Sequence, residues 1–255
     1  MFNDAIEPAS VTGHRYNSSS TSNCGYVYTE KAGLIDIGHI RDHVDLTKHV
    51  YDEIEKEVPV IRCREGVARL LSSPSDKVLL AEAIAFVDSW AHELRTYEAK
   101  DDFSSFSPED MVSNFLGTYI GGMALKGGGA ASVPAFNAIV DTLLAGLLAD
   151  LGARSAADTE AVIASKKGTG KWFDSFPSRL LRRNFEVVPW PAGMPYDKSP
   201  APAYISLARL TPQFAEFEFD LKEPLYDGSR PALADFPAAT AKIRAPFAAA
   251  GTDKP

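Results

Sequence analysis

The chain has 255 residues, 45% of them hydrophobic, and a formal net charge of −8. The apolar share is large enough for a buried core, and the acidic balance without a long basic block argues against a general nucleic-acid-binding protein. Two cysteines, Cys24 and Cys63, form neither a disulfide framework nor a cysteine-based zinc site. The chain opens without a basic-then-apolar leader and has no run of about eighteen apolar residues. We therefore expect a soluble protein with no membrane span, cytoplasmic as written, or from the envelope or periplasm if a leader was removed.

The first third predicts an N-terminal arm, a helix and a strand. Residues 1–30 are polar and turn-rich and end in a short β-prone run, Gly25–Thr29. Gly33–Glu57 carries apolar residues at rough helical spacing, and Pro59 ends the predicted helix. The segment VIRCREGV that follows is expected to form a strand.

Start signals predict further helices in the middle of the chain. Ser73 as N-cap, with Pro74 as the first helical residue, predicts a long helix to about Glu98. The same pattern, strengthened by two acids in the first turn, recurs at Ser107–Asp110. The helix that begins there is predicted to end at Lys126–Gly129. Two further helices are predicted at Ser132–Leu151 and Asp158–Lys166.

The C-terminal part, residues 184–255, is a proline-rich subregion with short β-prone runs. These runs, FEVVPW, AYISLA and FAEFEFDL, predict a small sheet or extended segments that wrap a helical body, and a last helix is expected at Ala232–Ala249. Together the patterns predict a mainly α protein with a small β-containing C-terminal portion, an α+β fold. Residues 31–255 are expected to form a single, mainly helical domain.

The segment Ala32–Asp52 holds three of the five histidines and four aspartates. His39 and His43 stand four residues apart, so on a helix both imidazoles lie on one face and can offer nitrogens to one divalent metal. Asp42 lies on the same stretch and could add a carboxylate. The alternative is an exposed, charge-rich helix face, which an isolated pair of this kind often is.

A second polar cluster, His92–Glu93, lies in the predicted helix that follows. Adjacent helical residues point about a hundred degrees apart, so His92 and Glu93 cannot face the same way. Glu93 could bind a metal or act as a general base, with Tyr97 on the same face. The alternative is a structural ion pair between Glu93 and Arg41 or Arg95.

Three ordered blocks, GLIDIGHIRDHVD, HELRTY and FSPEDMVSNFLG, resemble a bacterial family called domain of unknown function 4056. They correspond to Gly33–Asp45, His92–Tyr97 and Phe106–Gly117. The resemblance implies a shared fold without naming a reaction, and relatives in this family include envelope proteins and lipoproteins. His43 departs from the pattern of the family, so the resemblance favours a site built from His39, Asp42, Glu109 and either His92 or Glu93.

The leading hypothesis is a metal-dependent hydrolase or lyase that acts on a small molecule or peptide. A divalent ion such as zinc, iron or manganese would supply an activated water. The catalytic candidates are His39, Arg41, Glu93 and Tyr97. The candidate metal ligands are His39, Asp42, His43, His92, Glu93 and Glu109. Two alternatives stay open: a metal-free cyclase or isomerase of a biosynthetic pathway, and a non-catalytic binding protein whose polar residues form a buried network.

Overall fold

The computed structural model describes residues 5–17, 24–97, 108–166, 209–225, 228–236 and 238–239. Within these ranges the protein is mainly helical with two small antiparallel sheets, which confirms the α+β fold class. The helices are α1 (Ile37–Glu55), α2 (Lys77–Tyr97), α3 (Pro108–Lys126), α4 (Val133–Leu151) and α5 (Ala156–Lys166). The strands are β1 (Tyr26–Thr29), β2 (Gly33–Asp36), β3 (Val60–Arg62), β4 (Gly66–Leu70) and β5 (Phe217–Leu221).

Helices α1, α2 and α3 pack on one another and form the centre of the core. Their buried faces carry large apolar side chains, among them Ile40 on α1, Trp90 on α2 and Phe115 on α3, all fully buried. This burial is the main stabilising contribution in such a body, since each large apolar side chain gains about 1.5–3 kcal/mol on leaving water.

Glycines on α3 allow α1 to lie unusually close. A Cβ built on Gly117 would stand 2.8 Å from the Cβ of His43 and nearer still to the carbonyl oxygen of Ile40. A Cβ on Gly121 would stand 2.9 Å from the Cβ of Thr47. Real Cβ atoms essentially never approach other atoms below 3.0 Å, so only glycine fits both positions at this helix separation.

The starts of two helices differ from the predictions. Gly33–Asp36 is not helical but pairs with β1 as the antiparallel strand β2, and Asp36 then caps α1 by accepting hydrogen bonds from the backbone of Gly38 and His39. Helix α2 does not begin at Pro74. Asp76 is its cap, because its carboxylate accepts from the N–H groups of Val78 and Leu79. In contrast, the prediction for α4 is confirmed, with Ser132 as its side-chain cap.

The predicted strand VIRCREGV is in fact a hairpin of two strands, β3 and β4, and β5 adds to the far side of β4. The strand expected within FAEFEFDL is confirmed as β5. The runs FEVVPW and AYISLA and most of the predicted helix 232–249 lie outside the described residues, as does the serine-rich part of the arm. At the start of that last segment, Leu233–Asp235 forms a 3-10 helix.

The part of the N-terminal arm that the structure describes, residues 5–17, lies against the helical body. The backbone N–H groups of Gly13 and His14 donate to the carboxylate of Asp141 on α4, and Val11 is fully buried. Arg41 on α1 donates to the carbonyl oxygen of Val11. This segment therefore contributes to the core and is more than a polar appendage.

Among the described residues, one helix, α4, is long and apolar enough to cross a membrane, by length and composition alone. The core helix of a soluble protein can pass the same test. The absence of a membrane span therefore stays a prediction.

Candidate functional site

The first turns of α1 and α3 bring three potential metal ligands together. One ligand atom from each of Asp36, His39 and Asp110 lies within 4.8 Å of the other two. The Nδ1 of His39 stands 3.3 Å from Oδ1 of Asp110. Such a separation suits donors that share one ion, because metal–ligand bonds are about 2.0–2.2 Å long. Among the described residues this is the only group of three or more that meets this distance criterion.

Each carboxylate of this group occupies a position that stabilises negative charge. Asp36 is the N-cap of α1, and Asp110 lies in the first turn of α3. Helix N-termini carry a partial positive charge worth about 0.3–1 kcal/mol to a nearby anion, and up to ~2 kcal/mol where the site is partly buried. Both carboxylates are buried, whereas the His39 side chain is 30% exposed and links the group to solvent.

Further polar side chains are buried on α2 and α3 around this group. Glu109 precedes Asp110 in the first turn of α3, and Glu93 on α2 lies with its Oε1 3.4 Å from the amide nitrogen of Asn114. Ser113 accepts a hydrogen bond from the backbone N–H of Asp36, which joins α3 to the end of β2. The result is a polar layer where α1, α2 and α3 meet.

A cavity of about 330 Å³ opens beside this layer, between α1 and α2. Helix α1 contributes the larger share of its wall, α2 contributes three residues, and the β3–β4 turn contributes Arg64. Its lining residues are Asn17, Asp42, His43, Asp45, Leu46, His49, Arg64, Asp88, Ser89 and His92. His43 connects the two regions, because its ring centroid is 6.5 Å from that of His39.

Each of the three histidines in the cavity has one ring nitrogen bound to a protein oxygen. The Nδ1–H of His43 donates to the carbonyl of His39 at 2.8 Å. The Nε2–H of His49 donates to the carbonyl of Arg62 at 3.1 Å. Because a carbonyl can only accept, these bonds fix which nitrogen carries the hydrogen. Burial lowers the pKa of His43 to about 3, so this ring is neutral at physiological pH and its Nε2 is an acceptor.

The third histidine, His92, is held by a carboxylate. Its Nδ1 lies 2.8 Å from Oε1 of Glu65, which also pairs with Arg95. Burial alone would raise the pKa of Glu65, but the hydrogen bonds and charges of His92 and Arg95 outweigh it and lower that pKa to about 2. Glu65 is therefore an ionised acceptor, and His92 donates to it through Nδ1–H. This is how carboxylates orient catalytic or ligating imidazoles.

Asp88 on α2 fixes the turn that carries Glu65. Its carboxylate accepts backbone hydrogen bonds from Arg64, Glu65 and Gly66 at 2.8–3.1 Å. Burial raises the pKa of Asp88 to about 6, although these three donors favour its ionised form. Asp88 is thus a structural residue of the cavity wall that positions the partner of His92.

The structure divides the predicted site residues between these two regions. His39, Glu93 and Glu109 belong to the polar layer, whereas Asp42, His43 and His92 line the cavity. As expected from their spacing, His92 and Glu93 face different ways. Arg41 binds the backbone of the N-terminal segment, and the side chain of Tyr97 lies outside the described residues.

Three residues with a clear part in this geometry were not among the predicted site residues: Asp36, Asp110 and Glu65. For Asp110 a signal exists in the sequence, because it shares a helical face with Ser113, Gly117 and Gly121 through steps of three and four. Asp36 is recognisable as a helix cap once the start of α1 is known. Nothing in the sequence places Glu65 beside His92, since a hairpin turn brings it there.

Comparison with protein families returned one match. A family model described as "Protein of unknown function (DUF4056)" matches residues 2–60 and 76–192, more than half of the chain. The chain belongs to this family. The DUF4056 match covers α1, α2, α3 and the whole Asp36–His39–Asp110 group, but not the β3–β4 turn with Arg64 and Glu65. Neither the curated proteins nor the solved structures gave a match.

Proposed function

We propose that this protein is a metal-dependent enzyme, a hydrolase or lyase acting on a small molecule, whose metal ligands are Asp36, His39 and Asp110. The observation that carries the proposal is the approach of one ligand atom from each residue to within 4.8 Å. One imidazole and two carboxylates form a donor set that suits manganese, iron or zinc.

The local geometry fixes the ligand atoms and gives an ion access to them. Oδ1 of Asp36 accepts from the two backbone N–H groups of Gly38 and His39, which fixes the position of this carboxylate beside His39. The exposed part of His39 provides access from solvent. A bound divalent ion would lower the pKa of a water molecule and so provide a nucleophile near neutral pH. The residues of the chain hold the ion, exclude bulk water on the buried side and present the adjoining cavity to a substrate.

Metal analysis of the purified protein, before and after chelation, tests this proposal. We expect the chelated protein to bind one Mn²⁺ or Zn²⁺ in a calorimetric titration. The matched pair of variants is Asp110→Asn and Asp158→Asn, because both residues lie in the first turn of a helix, so both changes remove the same charge near a helix N-terminus. Asp110→Asn should weaken metal binding at least about 100-fold, because the removal of a residue that only orients a ligand already costs up to about 100-fold in affinity. Asp158→Asn should leave the metal affinity unchanged.

Either of two results would contradict the metal centre. One is that the folded wild type contains no stoichiometric metal and binds none on titration. The other is that the two variants bind the metal with equal affinity. Circular dichroism and thermal unfolding of Asp110→Asn show whether it is folded. If it is not, His39→Gln takes its place, since His39 is partly exposed and its replacement leaves no buried cavity of comparable size.

A metal-free acid–base enzyme is the second candidate, and one specific observation favours it. The structure contains three histidine–carboxylate pairs at or near one cavity, His39 with Asp110, His92 with Glu65 and His14 with Asp45. Such pairs can donate and accept protons without an ion, as a cyclase or isomerase requires. Full turnover after exhaustive chelation would favour this candidate over the metal-dependent enzyme.

A further inference from the structure

The wall of the cavity between α1 and α2 presents mostly hydrogen-bond acceptors. The carboxylates of Asp42, Asp45 and Asp88 supply acceptor oxygens, and the Nδ1–H of His43 donates to the carbonyl of His39, which leaves Nε2 of His43 for a ligand. Ser89 donates its hydroxyl hydrogen to the carbonyl of Phe86, so its oxygen is left to accept. A ligand that binds these groups must bring the donors itself, because a buried acceptor without a donor costs about 1–3 kcal/mol.

The charges of the wall favour a cation. Three carboxylates, Asp42, Asp45 and Asp88, line the cavity, and Arg64 is the only lysine or arginine among the described lining residues. Arg64 is 61% exposed and lies 3.4 Å from Glu65 through its Nε, which offsets part of its charge.

Of these carboxylates, Asp42 is the one placed to receive a charged ligand. Asp45 lies 3.0 Å from Nε2 of His14 and accepts from the backbone of Asn17, and Asp88 accepts three backbone N–H groups. Asp42 is exposed and makes no hydrogen bond or ion pair with the described residues. A cationic group beside Asp42 would therefore break no hydrogen bond or ion pair that Asp42 makes with the described residues.

The spread of the acceptors argues for a molecule and against a single ion. In the part of the chain that the structure describes, the one group of three ligands within 4.8 Å is Asp36, His39 and Asp110, so the cavity histidines do not converge on a point. Donors distributed over a small molecule can reach them all. A volume of about 330 Å³ lies at the lower end of the range for ligand pockets.

We propose that this cavity binds a small molecule that carries an ammonium group and several further hydrogen-bond donors, as amino sugars and amino alcohols do, with Asp42 against the ammonium group. As a statement about the substrate class of the enzyme it rests on the proposed function. As a binding site it stands without the metal centre, so binding is measured on chelated protein.

Glucosamine, glucose and glucuronate are suitable probes, because they share a ring and differ in charge. We expect glucosamine to bind at least about tenfold more tightly than glucose in calorimetric titrations at neutral pH, and glucuronate to bind least. The ring-nitrogen NMR signals of His43, His49 and His92 should shift on addition of glucosamine, which locates the ligand in the cavity.

The matched variants are Asp42→Asn and Glu53→Gln, each of which removes one carboxylate from α1. Asp42→Asn should reduce the preference for glucosamine over glucose to near one, whereas Glu53→Gln, outside the cavity, should preserve it. The proposal is overturned if glucuronate binds as well as glucosamine, if the two variants behave alike, or if none of the three probes shifts the histidine signals. The metal titration is a separate experiment. A negative result with the three sugars would therefore not contradict the metal centre, and an absence of metal binding would not contradict the binding of glucosamine in the cavity.

Discussion

The close approach of α1 and α3 predicts a large difference between two Gly→Ala variants. Gly117 lies on α3 against α1, where an added Cβ would stand 2.8 Å from the Cβ of His43 and closer to the Ile40 carbonyl. Since ordinary contacts begin at 3.4 Å, the two helices would have to separate by more than half an ångström. Gly146 on α4 has no atom within 4 Å of its added Cβ and is the control.

The magnitude follows from two opposing effects. Alanine in a helix interior stabilises by about 0.8–1 kcal/mol relative to glycine, and this gain is common to both variants. Overpacking a close contact costs about 1–3 kcal/mol and applies only to Gly117→Ala. We therefore expect Gly146→Ala to raise the free energy of unfolding, and Gly117→Ala to be about 1–3 kcal/mol less stable than Gly146→Ala.

Urea unfolding followed by circular dichroism measures both values on the same protein background. The same displacement would move His39 away from Asp110, so Gly117→Ala should also weaken Mn²⁺ or Zn²⁺ binding, while Gly146→Ala should not. If Gly117→Ala matched Gly146→Ala in stability, the helices could separate at no cost, and the argument that glycine sets their spacing would be refuted.

Three further predictions concern buried ionisable groups. Burial raises the pKa of Glu82 to about 8 despite the charge of Arg209, so the stability that Glu82 contributes is complete below about pH 4.5 and is lost as the pH rises to about 8. In urea titrations at several pH values, Glu82→Gln should flatten the fall of the free energy of unfolding over this range. An unchanged fall would contradict the prediction. Asp88→Asn would leave one of the backbone donors at Arg64–Gly66 facing an amide N–H. Thermal unfolding should therefore show a loss of stability of about 1–3 kcal/mol. Unchanged stability would show that the turn does not depend on Asp88. Burial raises the pKa of Cys63 well above its ordinary value, so a thiol reagent should modify it only after unfolding, and rapid modification of native protein would contradict that burial.

Local signals in the sequence were sufficient to predict most of the helices of the body. The helix predicted at Ser132–Leu151 is confirmed as α4, and His39, the residue at the centre of the predicted site, does lie beside buried carboxylates. Where prediction failed, long-range pairing decided the outcome. Gly33–Asp36 reads as the start of a helix, but β1 pairs with it and delays α1 until Ile37.

The choice of acid at the start of α3 shows why the composition of the site could not be predicted. Glu109 and Asp110 are adjacent first-turn acids and are equally good helix starters, so the local pattern does not distinguish them. They point about a hundred degrees apart, and only one can face α1. The face that packs on α1 is set three and seven residues beyond Asp110, where Ser113 accepts a hydrogen bond from the backbone N–H of Asp36 and Gly117 admits α1 at close range.

Asp110 shares that face and Glu109 does not. The identity of the carboxylate beside His39 is therefore a consequence of helix packing, and the small residues that permit the packing are the part of the sequence that specifies it. By the same reasoning, a substitution that enlarges Gly117 tests the metal site as directly as the removal of a ligand, because it changes the distance between donors while leaving every donor in place.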